Sequence, residues 1–127
     1  MELDINKCTY DGQWFDFGNG RLKIKPYPAS KQDISFSGNT ITFSGKQTFD
    51  RFCYCLVEWD KFSTPAPENK PIALTDEVKK KVFDFNLGAE KVDDVVMTIP
   101  EFVTMKAKEL FDSIREKEQK KAVAVKN

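Results

Sequence analysis

Ile34-Ser35-Phe36-Ser37-Gly38-Asn39-Thr40-Ile41-Thr42-Phe43 alternates apolar with small polar residues on either side of a Gly-Asn step. Successive strand side chains point to opposite faces, so Ile34 and Phe36 share a face, as do Ile41 and Phe43, and the glycine gives the backbone freedom a tight turn needs. The stretch reads as a β-hairpin. Directly after it the period changes. Phe49, Phe52, Cys53, Leu56 and then Trp59 or Asp60 follow the i, i+3, i+4, i+7 spacing of an amphipathic helix from about Gln47 to Asp60. A sheet covered by a helix defines the fold class as α+β.

Upstream, Trp14-Phe15-Asp16-Phe17, the turn Gly18-Asn19-Gly20 and Arg21-Leu22-Lys23-Ile24-Lys25 form a second hairpin pattern, ended by Pro26 and Pro28. Leu22 and Ile24 take the buried face, and Arg21, Lys23 and Lys25 take the other, where they guard against edge pairing. An N-terminal antiparallel sheet of about four strands is therefore expected before residue 45.

Downstream, Ser63-Thr64-Pro65-Ala66-Pro67-Glu68-Asn69-Lys70-Pro71 has three prolines in nine residues and no apolar period, which marks an exposed, mobile connection. It separates a sheet-plus-helix layer, 1–62, from a C-terminal helical part, 72–127, packed on the same core. Thr75 is a good N-cap for a helix from Asp76 to about Asn86, with Val78, Val82 and Phe85 on its apolar face and Gly88 ending it. Residues 89–97 suit either a short helix or a strand. Thr98-Ile99-Pro100-Glu101 has the pattern of a capping box with proline in the first turn, and Val103, Ala107, Leu110, Phe111 and Ile114 form the stripe of the last helix. Two or three C-terminal helices result. The run Arg115 to Lys121 has nothing apolar to bury, and the end, Ala122 to Asn127, is expected to fray or remain disordered.

The 127 residues suffice for one domain of ordinary size, with eleven Phe and two Trp to fill its core. Twenty basic residues balance twenty acidic ones, and division after Phe62 leaves eight of each before it and twelve of each after it. That balance disfavours nucleic acid, which needs several phosphate contacts, even though Arg21, Lys23, Lys25 and Lys31 lie near Tyr27. Histidine is absent, and with it the Ser/His/Asp and Cys/His triads and His metal sites. Cys8, Cys53 and Cys55 read as reduced thiols, because Cys53-x-Cys55 lacks a second pair of ligands for a tetrahedral metal. Lys79-Lys80-Lys81 would spread around a helix, Asp93-Asp94 suits a surface turn, and no glycine-rich loop leads into a helix N-terminus. No catalytic residue, cofactor or metal is expected. A basic start with a long apolar run is missing from the first residues, and no stretch has the roughly 20 apolar residues of a membrane helix, so a cytosolic, soluble chain is expected.

Twelve of the sixteen aromatics precede Ser63. Most belong to a core, but aromatics are also what interface anchors are made of. A chain with this pattern and no catalytic constellation fits a binding protein better than an enzyme.

The order of Trp14-Phe15-Asp16-Phe17, Glu58-Trp59-Asp60, Lys70-Pro71-Ile72-Ala73-Leu74-Thr75-Asp76-Glu77 and Ile99-Pro100-Glu101-Phe102 resembles that of small bacteriophage and prophage tail proteins, particularly tail assembly chaperones. The resemblance covers most of the chain and rests on layout. It implies a non-enzymatic factor of the host cytoplasm that binds a long helical tape-measure protein and keeps its apolar stripe from aggregating. A structural tail or head-tail connector subunit that forms a homo-oligomer ring is the alternative, and a small ligand-binding enzyme comes third. A helical client needs an apolar groove with a polar rim, to which the last two helices would contribute. The candidate contacts are Phe102, Met105, Arg115, Lys117 and Lys121.

Overall fold

The computed structural model describes residues 1–3, 5, 11–43 and 48–126, with side chains through Lys120. The α+β class holds, with the strands gathered in three small sheets instead of one. Strands β1 (Gln13–Phe17), β2 (Gly20–Ile24) and β5 (Leu56–Asp60) form an antiparallel sheet in the order β1-β2-β5. Among the described residues, strands β3 (Ile34–Ser37) and β4 (Thr40–Phe43) pair only with each other, as do β6 (Ala89–Val92) and β7 (Val95–Thr98). The described residues add the α-helices α1 (Phe49–Cys55), α2 (Asp76–Asp84) and α3 (Ile99–Lys126).

The two N-terminal hairpins form where the alternation placed them. Both turn on Gly-Asn, with positive φ at Gly18 and Gly38 (59° and 58°), the conformation a side chain at the first turn position would resist. Phe15 pairs with Leu22, so Phe15, Phe17, Leu22 and Ile24 share the inner face. The outer face pairs opposite signs: Asp16 faces Arg21, Lys23 faces Glu58, and Arg21 bonds Asp60 at 3.0 Å while lying 4.7 Å from the Trp14 ring centre. The basic stripe seen in the sequence is thus interleaved with carboxylates.

The expected four-stranded sheet and the helix over 47–60 both need correction. The helix stops at Cys55, and Leu56–Asp60 supplies the third strand. The reason lies in a register shift. Ile24 pairs with Leu56 and Leu22 with Trp59, so one extra residue is accommodated on β5 between Lys23 and Ile24. In a regular strand residues three apart face opposite ways; the bulge brings Leu56 and Trp59 to the same face. Their i, i+3 spacing therefore imitates a helix in the sequence.

The core is continuous across the chain. Phe17, Leu22 and Ile24 from the sheet meet Phe52, Cys55 and Leu56, and Ile99, Phe102, Val103 and Ala107 of α3 close it. Phe102 packs 5.1 Å from Phe17 and 6.4 Å edge-on from Phe15. Tyr27 is buried and donates to Asp50 at 2.6 Å, and the buried Arg51 guanidinium lies 5.2 Å from the Tyr27 ring centre. Phe62 stacks on Trp59 at 4.7 Å and lies against Gly20, where an added Cβ would come within 2.7 Å of its ring.

The proline-rich segment is exposed, as expected, yet tied at its base instead of hanging open. Ser63 and Pro71 bridge, Thr64 N–H donates to Lys70 O at 2.9 Å, and Trp59 Nε1 donates to Ile72 O at 2.7 Å. Thr75 then caps α2 by accepting from Val78 N–H at 3.2 Å. Thr75→Ala should cost about 1 kcal/mol, read as a lower urea midpoint with an unchanged slope. The helix ends at Asp84, two residues before the expected boundary, because Asn86 and Gly88 take positive φ. Phe85 consequently turns outward, and Phe83 takes the inner place, 5.5 and 5.6 Å from Phe49 and Phe52.

The ambiguous stretch 89–97 falls within the β6-β7 hairpin, turning at Asp93 and Asp94, both with positive φ. At the start of α3 the Glu101 carboxylate reaches back to accept from Thr98 N–H (3.2 Å) and its hydroxyl (2.7 Å). Those bonds hold the Glu101 carboxyl below the usual carboxylate range. The backbone remains helical through Lys126, where fraying was expected.

Candidate protein-binding surface

The β3-β4 ribbon gathers Ile34, Phe36, Ile41 and Phe43 on one face, since Ile34 pairs with Phe43 and Phe36 with Ile41. Only the end bearing Phe43 is anchored. Its ring meets Phe111 of α3 edge-on at 5.1 Å, and Arg115 lies 4.8 Å from the Phe43 ring centre while donating from Nη2 to Ile41 O at 3.1 Å. The rest of the apolar face is open: Phe36 near the turn is 74% exposed, its partner Ile41 43%, and Ile34, across from Phe43, 48%. An apolar side chain so exposed gives up its favourable transfer from water, roughly 1.5–3 kcal/mol for a full burial, unless something covers it.

Between the ribbon and α3 lies a groove of about 270 Å³ lined by Ile41, Phe43, Lys108, Asp112, Arg115 and Glu116. Its rim carries both signs, with Lys108 and Asp112 bonded at 2.7 Å. A mostly polar groove of mixed charge beside the open apolar ribbon face is suited to a peptide element that has an apolar stripe and flanking charges of either sign. Phe85, Leu87, Val95 and Val96 form a second exposed apolar set about the end of α2 and the β6-β7 hairpin.

The five residues expected to touch a partner do not form one surface. Phe102 is 1% exposed and belongs to the core, a correction that follows from its position on the first turn of α3, directly beneath the sheet. Met105 is half-buried and packs against the same core. Arg115 lies about 20 Å farther along the helix than Phe102, at 1.5 Å per residue, and serves the ribbon. Lys117 is exposed, and the Lys121 side chain lies outside the described residues. Arg115 alone joins the groove. The ribbon residues Ile34, Phe36 and Ile41 were readable only as a sheet face; that this face lies largely open follows from α3 packing against it only at Phe43, among the described residues.

The described thiols are not placed for chemistry. Cys55 is fully buried, and burial pushes its thiol up to about 12. Cys53 is also raised, chiefly by burial, with Lys79 opposing. Cys8 lies outside the described residues. Among the described residues no group of three or more His, Cys, Asp or Glu side chains is arranged to hold a metal ion, and no helix is long and apolar enough to cross a membrane.

These features define an α+β protein with exposed apolar side chains on a two-stranded ribbon beside a long charged helix. Comparison with protein-family models, with curated proteins and with solved structures finds no match to this chain.

Proposed function

We propose that this chain is a non-enzymatic assembly chaperone of the phage or prophage tail type, acting in the host cytoplasm on a long helical, tape-measure-like protein. The observation that supports the reading is the open apolar ribbon face, Ile34, Phe36 and Ile41, set against the mixed-charge groove of α3. A helix with an apolar stripe matches such a surface in shape and chemistry, and binding of this kind needs no reacting group. The resemblance in layout points the same way.

The test is co-expression with a long coiled-coil tape-measure protein, together with titration of a synthetic amphipathic helix bearing an apolar stripe. The wild-type chain should keep the client soluble, and Phe36→Asp should weaken peptide binding by about tenfold, the effect of an anchor worth about 1.4 kcal/mol. Phe36 is exposed, so the fold should survive the change. A client that stays soluble without the chain, or a purified chain that assembles into a large ring, would overturn the reading. The ring would favour a structural tail or connector subunit.

A further inference from the structure

We infer that the outer edge of β3 pairs antiparallel with β3 of a second copy of this chain, closing a two-fold dimer whose central sheet has the order β4-β3-β3-β4. The hydrogen-bond parity of the ribbon selects this edge. A two-residue loop makes Ser37 and Thr40 a mutually bonded pair, which turns the N–H and C=O groups of Phe36 and Ile41, and those of Ile34 and Phe43, outward. On the β4 side the Ile41 carbonyl is already taken by Arg115 at 3.1 Å. On the β3 side the outward groups belong to Ile34 and Phe36, both exposed.

A two-fold axis at Ser35 sets Ile34 opposite Phe36 of the second copy, and Phe36 opposite its Ile34. Those are the residues with outward groups, so the register uses four backbone hydrogen bonds and leaves none of the four N–H and C=O pairs misaligned. It also keeps the side chains in phase. Each Phe36 gains a cross-strand isoleucine on the apolar face, and the Ser/Thr face stays continuous.

Self-complementarity selects the occupant, because β3 meets its own copy with outward backbone groups and apolar face both matched. Edge strands are commonly guarded by charge or proline, and β1 and β5 of the three-stranded sheet carry Asp16, Glu58 and Asp60. Ile34–Ser37 carries neither. In the two-fold register Asp33 falls opposite Ser37 and Lys31 opposite Asn39, so no like charges meet, and the chain has zero net charge to oppose self-association. The inference concerns the strand edge and not the apolar face offered to a client, so the two readings can fail separately.

Ser35 opposes itself across the axis and points away from the apolar face, so it tests the register without touching the client surface. Sedimentation of the wild-type chain should show the average mass rising toward the dimer with concentration. Ser35→Lys and Ser35→Glu should each weaken the dimer by about fivefold or more, and an equimolar mixture of the two should restore it. Amide exchange at Ile34 and Phe36 should slow with concentration while that at Ile41 does not. A wild-type chain that stays monomeric to millimolar concentration, single variants that dimerise like the wild type, a mixture that fails to restore association, or protection of Ile34 and Phe36 seen only with client peptide would each overturn it.

Discussion

Phe102→Ala should lower the stability of the fold by about 3–5 kcal/mol, the range for truncating a buried aromatic ring. The residue is 1% exposed and joins the two halves of the core, with Phe17 at 5.1 Å and Phe15 at 6.4 Å across its ring. Removing it leaves a void between the sheet and the first turns of α3, flanked by Ile99, Val103 and Ala107, where neighbours on two rigid elements have little freedom to collapse. Urea unfolding checks the figure, and Phe36→Ala gives the contrast. That ring is 74% exposed, so its loss should change stability by less than about 0.5 kcal/mol. Equal costs at the two positions would contradict the packing described above.

Alkali should unfold the protein earlier than its surface charge would suggest. The Cys55 thiol is pushed up to about 12 by burial, against an ordinary value of 9.0. Its folded-state value is the higher one, so the native state holds the proton that the unfolded chain releases. The resulting stability is complete below pH 9 and is lost as pH rises from there toward 12, at about 1.4 kcal/mol per pH unit for this one group. Tyr27 acts in the same direction: its bond to Asp50, and then burial, raise it to about 12 from 10.0. Urea midpoints measured between pH 8 and pH 11 should fall, and Cys55→Ala should flatten the slope even though it lowers the absolute stability. Native labelling with a thiol reagent should modify Cys53 before Cys55. A flat profile above pH 9 would show that the thiol is not held neutral.

Local rules carried much of this fold. The β1-β2 and β3-β4 registers follow from alternation around Gly-Asn, and Thr75 and Glu101 occupy the capping roles their spacing implied. What the sequence could not show is how strands combine. Sheet membership is decided by partners far apart in the chain, and β2 finds its second neighbour more than thirty residues away, at Leu56–Asp60. There the bulge lent a strand the spacing of a helix. The end of α2 was similarly hidden, since Phe85 continues the 3.6-residue period although Asn86 and Gly88 turn the backbone away. The surface was harder to read than the fold. Ile34, Phe36 and Ile41 have the pattern of a buried face, and they lie open because, among the described residues, α3 packs against that face only at Phe43.

The core that runs from Phe17 to Ala107 has a consequence for biosynthesis. The sheet face formed by Leu22 and Ile24 has its lid in α3, so the nascent polypeptide cannot bury that face until translation has passed Ala107. Most of the domain must wait on the ribosome with its interior bare, and compaction comes in a late, concerted step instead of piece by piece as each element leaves the exit tunnel.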